Sequence, residues 1–145
     1  MTINTQNHPP SYETPRRPPL AYKEILEDQI QEMLEANVIR RSNTPWLSPI
    51  IIVPKKDVTM RLCLDFRRIN AITVRPAASI PSTEDMFYAL GKSKFRTCLD
   101  MKQGFWLIPI KEEDKEKAAF GTASGVYEFN KMSFATTGAP AICSV

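Results

Sequence analysis

Asp100 closes the apolar run Phe95-Arg96-Thr97-Cys98-Leu99, with Gly104-Phe105-Trp106 close behind. Lys55, Lys56 and Arg61 stand in the basic stretch Lys55–Asn70. A carboxylate at a strand end can hold a divalent metal. A lysine and an arginine nearby can clamp a triphosphate, the first as a point charge and the second as a fork. The combination suggests phosphoryl transfer on nucleotides. Each residue also has a plainer reading: Asp100 as a helix cap or solvated loop residue, the basic stretch as a solvated hairpin, Phe105 as core. The three cysteines, Cys63, Cys98 and Cys143, are widely spaced with no CxxC, and the one histidine is His8, so neither a zinc site nor a disulfide framework fits.

These residues need elements to position them. Tyr22, Leu26, Ile30, Met33 and Leu34 recur at helical spacing with acids on the other face, which predicts an amphipathic helix stopped at Asn37. A loop over Arg40–Pro49 leads into Ile50-Ile51-Ile52-Val53, a β-branched run bracketed by prolines that reads as a buried strand. Leu62, Leu64 and Phe66 alternate with Arg61, Cys63 and Asp65, giving a second strand and a hairpin across the Lys-Lys-Asp turn. Val58 is unexpected there, since valine resists the positive φ of tight turns. Ser82 is expected to cap a short helix that Gly91 ends. Strands are expected at Phe95–Asp100 and Phe105–Ile110. A solvated turn or short helix follows over Lys111–Lys117, then a hairpin of Ala118–Thr122 and Val126–Phe129. Asp65 is read as ordering Arg67, Arg68 or a turn, and Glu112, Glu113 and Asp114 as a solvated run.

With 145 residues, 43% hydrophobic and 24% charged, the chain suits one globular domain or part of one. Five of its twelve prolines (Pro9, Pro10, Pro15, Pro18, Pro19) lie in residues 1–19, which read as an extended, disordered leader ahead of a domain over 20–145. Between Lys23 and Glu35 one lysine meets five acids. Residues 55–75 carry six basic side chains (Lys55, Lys56, Arg61, Arg67, Arg68, Arg75) against Asp57 and Asp65, a candidate phosphate-binding surface or a solvated face. No apolar run approaches the roughly 18 residues of a membrane span. Free cysteines suggest a reduced compartment, cytoplasmic or nuclear.

At this point the chain resembles the reverse transcriptases of Ty3/gypsy-type long-terminal-repeat retrotransposons. The likeness runs from about Pro18 to about Ala141. Val38–Pro49 is similar to the family's I-x-P-S-x-S-P-W-x-S-P loop, and Arg61–Asn70 to its R-x-C-x-D-Y-R-x-L-N hairpin. Leu99-Asp100, Ile108–Lys117 and Tyr127–Phe134 follow in the family's order. The resemblance implies an α+β right-hand polymerase fold, of which this chain holds the fingers and first part of the palm. It implies that Asp100, assisted by the Met101 carbonyl, binds catalytic Mg²⁺. There, cations about 4 Å apart activate the primer hydroxyl and neutralise the leaving pyrophosphate. It implies that Arg61 and Lys55 or Lys56 grip the triphosphate, and that Phe105 packs under the sugar and excludes a 2′-hydroxyl. Trp46 packs or touches template, and Arg67 and Arg68 serve nucleic acid. The implied partners are an RNA or DNA template–primer, deoxynucleoside triphosphates and, in the family, adjoining protease, RNase H and integrase domains, with no membrane.

The chain departs from the pattern in three places. The family's downstream Tyr-x-Asp-Asp turn has no counterpart, Glu128 being the only acid after Glu116. The family's M-P-F-G-L-x-N-A-P-A-T-F-Q reads here from Met132 to Ser144 with Ser133 and Ala135 in place of its proline and glycine. Val58 and Met60 replace the usual glycine and tryptophan of the fingers turn. The expected reading is therefore part of an RNA-directed DNA polymerase that is inactive alone. A non-catalytic nucleic-acid-binding module and a translated relic stand as alternatives.

Overall fold

The computed structural model describes residues 1–15, 18–54, 60–75, 82–91, 93–98 and 104–137. Lys55, Lys56, Val58, Asp100 and Met101 lie outside the described residues. Helix α1 (Lys23–Glu35) buries Leu26, Ile30 and Met33, the stripe expected from their spacing. Its end is a Schellman turn. Asn37 takes φ 53°, its N–H donates to Leu34 O at 3.0 Å, and the Val38 N–H reaches back to Met33 O at 2.9 Å.

Next come strands β1 (Ile39–Arg41), β2 (Ser48–Pro54) and β3 (Met60–Leu64), then helices α2 (Arg67–Ile72) and α3 (Thr83–Gly91), and finally strands β4 (Ala119–Thr122) and β5 (Gly125–Phe129). Short 3₁₀ helices occupy Leu20–Tyr22, Gly104–Leu107 and Glu112–Ala118. The five strands form one sheet in the order β1-β5-β4-β2-β3. β2 runs parallel to β4, pairing Ser48 with Phe120 and Pro49 with Gly121; the other neighbours are antiparallel. α1 packs its apolar stripe into one core with Trp46, Ile50, Phe66, Ile69, Phe120, Tyr127 and Phe129.

Several expectations give way. Arg40 and Arg41 belong to β1 rather than to a loop, because β5 offers them partners, Arg40 opposite Glu128 and Arg41 opposite Tyr127. β3 ends at Leu64, and Arg67–Ile72 is helical. Residues 95–98 form no strand: Phe95 is 92% exposed, and Arg96 turns back to donate to Leu90 O at 3.2 and 3.0 Å, closing the end of α3. Gly104–Leu107 coils into a 3₁₀ turn in place of a strand. A short apolar run does not by its pattern distinguish the two.

The stretch read as a disordered leader is anchored at two points of its described residues 1–15, with residues 6–10 exposed between them. Ile3 is 1% and Thr5 2% exposed. Tyr12 bridges Leu47 in parallel, with the Glu13 N–H on Leu47 O and the Leu47 N–H on Ser11 O, both at 2.9 Å. Two polar ties fix this strap. The Ile3 N–H donates to Asp114 Oδ2 at 3.0 Å, and Lys117 Nζ donates to both Ile3 O at 2.9 Å and Asp114 Oδ1 at 2.6 Å. Asp114, read as part of a solvated run, is thus 5% exposed. A buried carboxylate needs such a set of donors.

Candidate functional site

The site is built around α2. Asp65, two residues ahead of the first helical residue, accepts the Arg67 backbone N–H at 3.3 Å and takes the Arg67 fork at 2.7 Å from Nε and 2.6 Å from Nη2. This is the ordering role expected of Asp65. Its carboxylate is buried while the Arg67 side chain is 82% exposed, so a buried anion fixes the stem of a cation whose head faces solvent. The hydrogen bonds that Arg67 donates to Asp65 push its guanidinium further above its already high range. Arg68, one residue on, is held by Glu13 at 3.2 Å. Both arginines are therefore displayed, and both are steadied by acids.

The same helix reaches a second loop. Asn70 Nδ2 donates to Ala135 O at 2.7 Å, and Asn70 Oδ1 accepts the Thr137 N–H at 2.9 Å. Between Met132 and Thr137, Ser133 Oγ and Thr136 Oγ1 lie 3.0 Å apart, and Thr136 Oγ1 donates to Ser133 O at 3.3 Å. These hydroxyl bonds fold the turn that carries Phe134. Phe134 meets Phe105 edge-on, ring centroids 4.8 Å apart at 66°. Phe105 itself is half-buried on the Gly104–Leu107 turn.

Of the residues expected to serve chemistry, Phe105, Arg67 and Arg68 are joined through α2 and the 133–137 turn. Arg61 lies on β3 opposite Val53. Trp46 is 4% exposed and packs in the core. Among the described residues no three His, Cys, Asp or Glu side chains gather where they could hold a metal ion. Those residues therefore build no cation cradle, and Asp100 lies outside them. No helix among the described residues is long and apolar enough to cross a membrane.

A separate ionic network supports the sheet. Glu128, 5% exposed, accepts Arg40 Nε at 2.6 Å and Ser42 Oγ at 2.5 Å. Arg40 also meets Glu112 at 2.5 Å, and Lys115 meets Glu112 at 2.6 Å. Hydrogen bonds from Lys115 and then Arg40 hold the Glu112 carboxyl below its ordinary range, and the bonds Arg40 donates to Glu112 and Glu128 raise Arg40. Sequence reasoning missed Asn70 and Glu128. The signal for Glu128 was an acid inside an apolar alternation, which calls for a cross-strand cation. Asn70 showed only as the last residue of its motif.

The family profile described as reverse transcriptase (RNA-dependent DNA polymerase) matches residues 53–145. The Pol polyprotein from transposon opus of Drosophila melanogaster is 39% identical over 145 residues, covering 97% of this chain and 14% of that protein. The Pol polyprotein from transposon gypsy of the same organism is 32% identical over 147 residues, covering 97% and 14%. The crystal structure of the prototype foamy virus protease–reverse transcriptase superposes with a TM-score of 0.83 at 26% identity, covering 97% of this chain and 19% of that one. The chain thus spans about 14% of the length of the curated relatives it matches.

Proposed function

Because this chain belongs to the reverse transcriptase family, we propose that it forms the nucleotide-gripping part of a retrotransposon RNA-directed DNA polymerase. The reaction of the whole enzyme joins a deoxynucleoside monophosphate to a primer 3′-hydroxyl and releases pyrophosphate. Within it, Arg61 with Lys55 or Lys56 clamps the triphosphate, and Phe105 lies under the sugar. Arg67 and Arg68 face the phosphates of an RNA or DNA template–primer. Magnesium, when bound, supplies charge neutralisation at the attacking and leaving oxygens. Asp100, beside Met101, is this chain's carboxylate for it. The reading rests on one observation: α2 displays two steadied arginines and is tied, through Asn70, to the turn that seats Phe105.

We infer that these 145 residues by themselves are not sufficient for the reaction. Their sequence holds no Tyr-x-Asp-Asp turn, and the only acid after Glu116 is Glu128, already engaged by Arg40 and Ser42. A single carboxylate does not fill the oxygen shells of two magnesium ions. The purified chain is expected to give no primer extension above background with Mg²⁺ and deoxynucleotides; extension would refute this. It is expected to bind a primer–template duplex in a salt-sensitive manner. Arg68→Ala and Arg67→Ala each lower the slope of log affinity against log salt by about one. Absent or salt-independent binding would eliminate the nucleic-acid role.

A further inference from the structure

We propose that Asn70 is a positioning residue: its carboxamide sets the 133–137 turn and thereby the edge-on contact of Phe134 with Phe105. The nucleotide consequence rests on the reading of Phe105 given above; the positioning itself does not. A carboxamide offers one acceptor and two donors on a planar head. Here the acceptor takes the Thr137 N–H and one donor meets Ala135 O, two residues apart on the same strand of backbone. The side chain thus grips the turn as a neighbouring strand would, on either side of Thr136. Phe134 precedes the first gripped residue, so the direction in which its ring leaves the turn follows from where Ala135 is held.

The contact it directs joins this turn to the Gly104–Leu107 turn. Phe134 is 64% exposed, and its ring partner is Phe105. The hydroxyl bonds between Ser133 and Thr136 close the turn on itself but do not tie it to α2. That tie is Asn70. In consequence, α2, which carries Arg67 and Arg68, and the aromatic floor beneath the sugar move as one piece. A ribose 2′-hydroxyl is then refused by a ring that the basic helix holds in place.

The test uses the whole 145-residue chain with labelled phenylalanine rings and backbone amides, as wild type, Asn70→Ala and Asn70→Asp. In Asn70→Ala the Thr137 amide loses about fivefold to tenfold of its exchange protection, the loss expected of one hydrogen bond, and the Phe105–Phe134 ring contact disappears. The amides of β4 and β5 hold their protection, which reports that the fold survives. Asn70→Asp keeps the acceptor for Thr137 and, when ionised, loses the donor to Ala135. Its Thr137 amide stays protected at neutral pH while the ring contact is lost, and the contact returns on acidification as the carboxyl regains a proton to donate. That recovery is a signature general loosening does not give. An unchanged ring contact in both variants at neutral pH would overturn the proposal, as would a lost contact in Asn70→Asp that acid does not restore while β4 and β5 stay protected. Titration with dTTP and with its ribose counterpart adds the nucleotide arm. Wild type prefers the deoxy form, and Asn70→Ala brings the ratio of affinities towards one. Equal discrimination by both would overturn the link to the sugar. Binding of neither nucleotide by wild type would refute the nucleotide reading of Phe105 and leave the ring contact to decide the positioning.

Discussion

Glu112 is the most exposed member of its ionic network, yet it meets both Lys115 and Arg40. Its folded carboxyl titrates below the unfolded one, so its contribution is present above the unfolded pKa and lost as pH falls through the lowered folded value. Carboxyl-resolved titration of the folded chain should place Glu112 below the ordinary glutamate range, and Lys115→Ala should move it back up. Added salt should shrink the difference, as expected at a surface. Asp114 makes the opposite case. Asp114→Ala leaves Lys117 Nζ, on a side chain only 18% exposed, without its carboxylate and the Ile3 N–H without its acceptor. The expected cost is about 3 kcal/mol in urea unfolding, with residues 1–5 losing amide protection first. Glu112 and Glu113 behave as the charged run of the sequence suggests. Asp114 does not, because its partner Ile3 lies 111 residues away, and no local pattern carries such a contact.

The strap of residues 11–15 against Leu47 sets the demands on β4. A Cβ on Gly121 would stand 2.5 Å from Pro15 Cγ and 3.2 Å from both Leu47 methyls, and a proline ring has little room to yield. Gly121→Ala is expected to destabilise by about 1–3 kcal/mol, the usual cost of overpacking, readable as a lowered unfolding midpoint. α3 gives a local counterpart. Ser82 Oγ accepts the Asp85 N–H at 3.1 Å, the cap read from its sequence, and none of the helix is buried. Ser82→Ala should therefore cost about 1 kcal/mol, seen as faster exchange of α3 amides with no change in β4 or β5. Legibility followed the same division. α1 and the β4–β5 hairpin stood out because each has a period and a stop signal of its own, Asn37 for one and Ala123-Ser124-Gly125 for the other. β1 did not, since three residues become a strand only when β5 arrives. The turn at Phe105 was mistaken for a strand because its apolar run is too short for either period to show. Of the site, Phe105, Arg67, Arg68 and Asp65 were legible through motif and charge, whereas Asn70 works through backbone atoms that have no letter in the sequence.

Across the whole molecule, apolar exposure is uneven. Phe87 is 71% and Phe95 92% exposed, both in or just after α3, while the sheet and α1 enclose a continuous core. Large exposed aromatic rings promote association. The chain is expected to sediment as concentration-dependent oligomers, and Phe87→Ser with Phe95→Ser should return it to monomer without lowering the unfolding midpoint, since neither ring is in the core. The order of strands bears on synthesis as well. Among the described residues, β1 has only β5 as its neighbour in the sheet, and β2 joins the remainder through β4. While the ribosome makes the chain, α1 and the β2–β3 pair can form early, but β1 waits for Phe129, the partner of Ile39, to clear the exit tunnel. Until then its backbone groups must stay hydrated. Nascent chains halted before the β4–β5 hairpin emerges should therefore resist protease only around the β2–β3 pair and α1, and protection of the opening residues should appear abruptly once the hairpin is out.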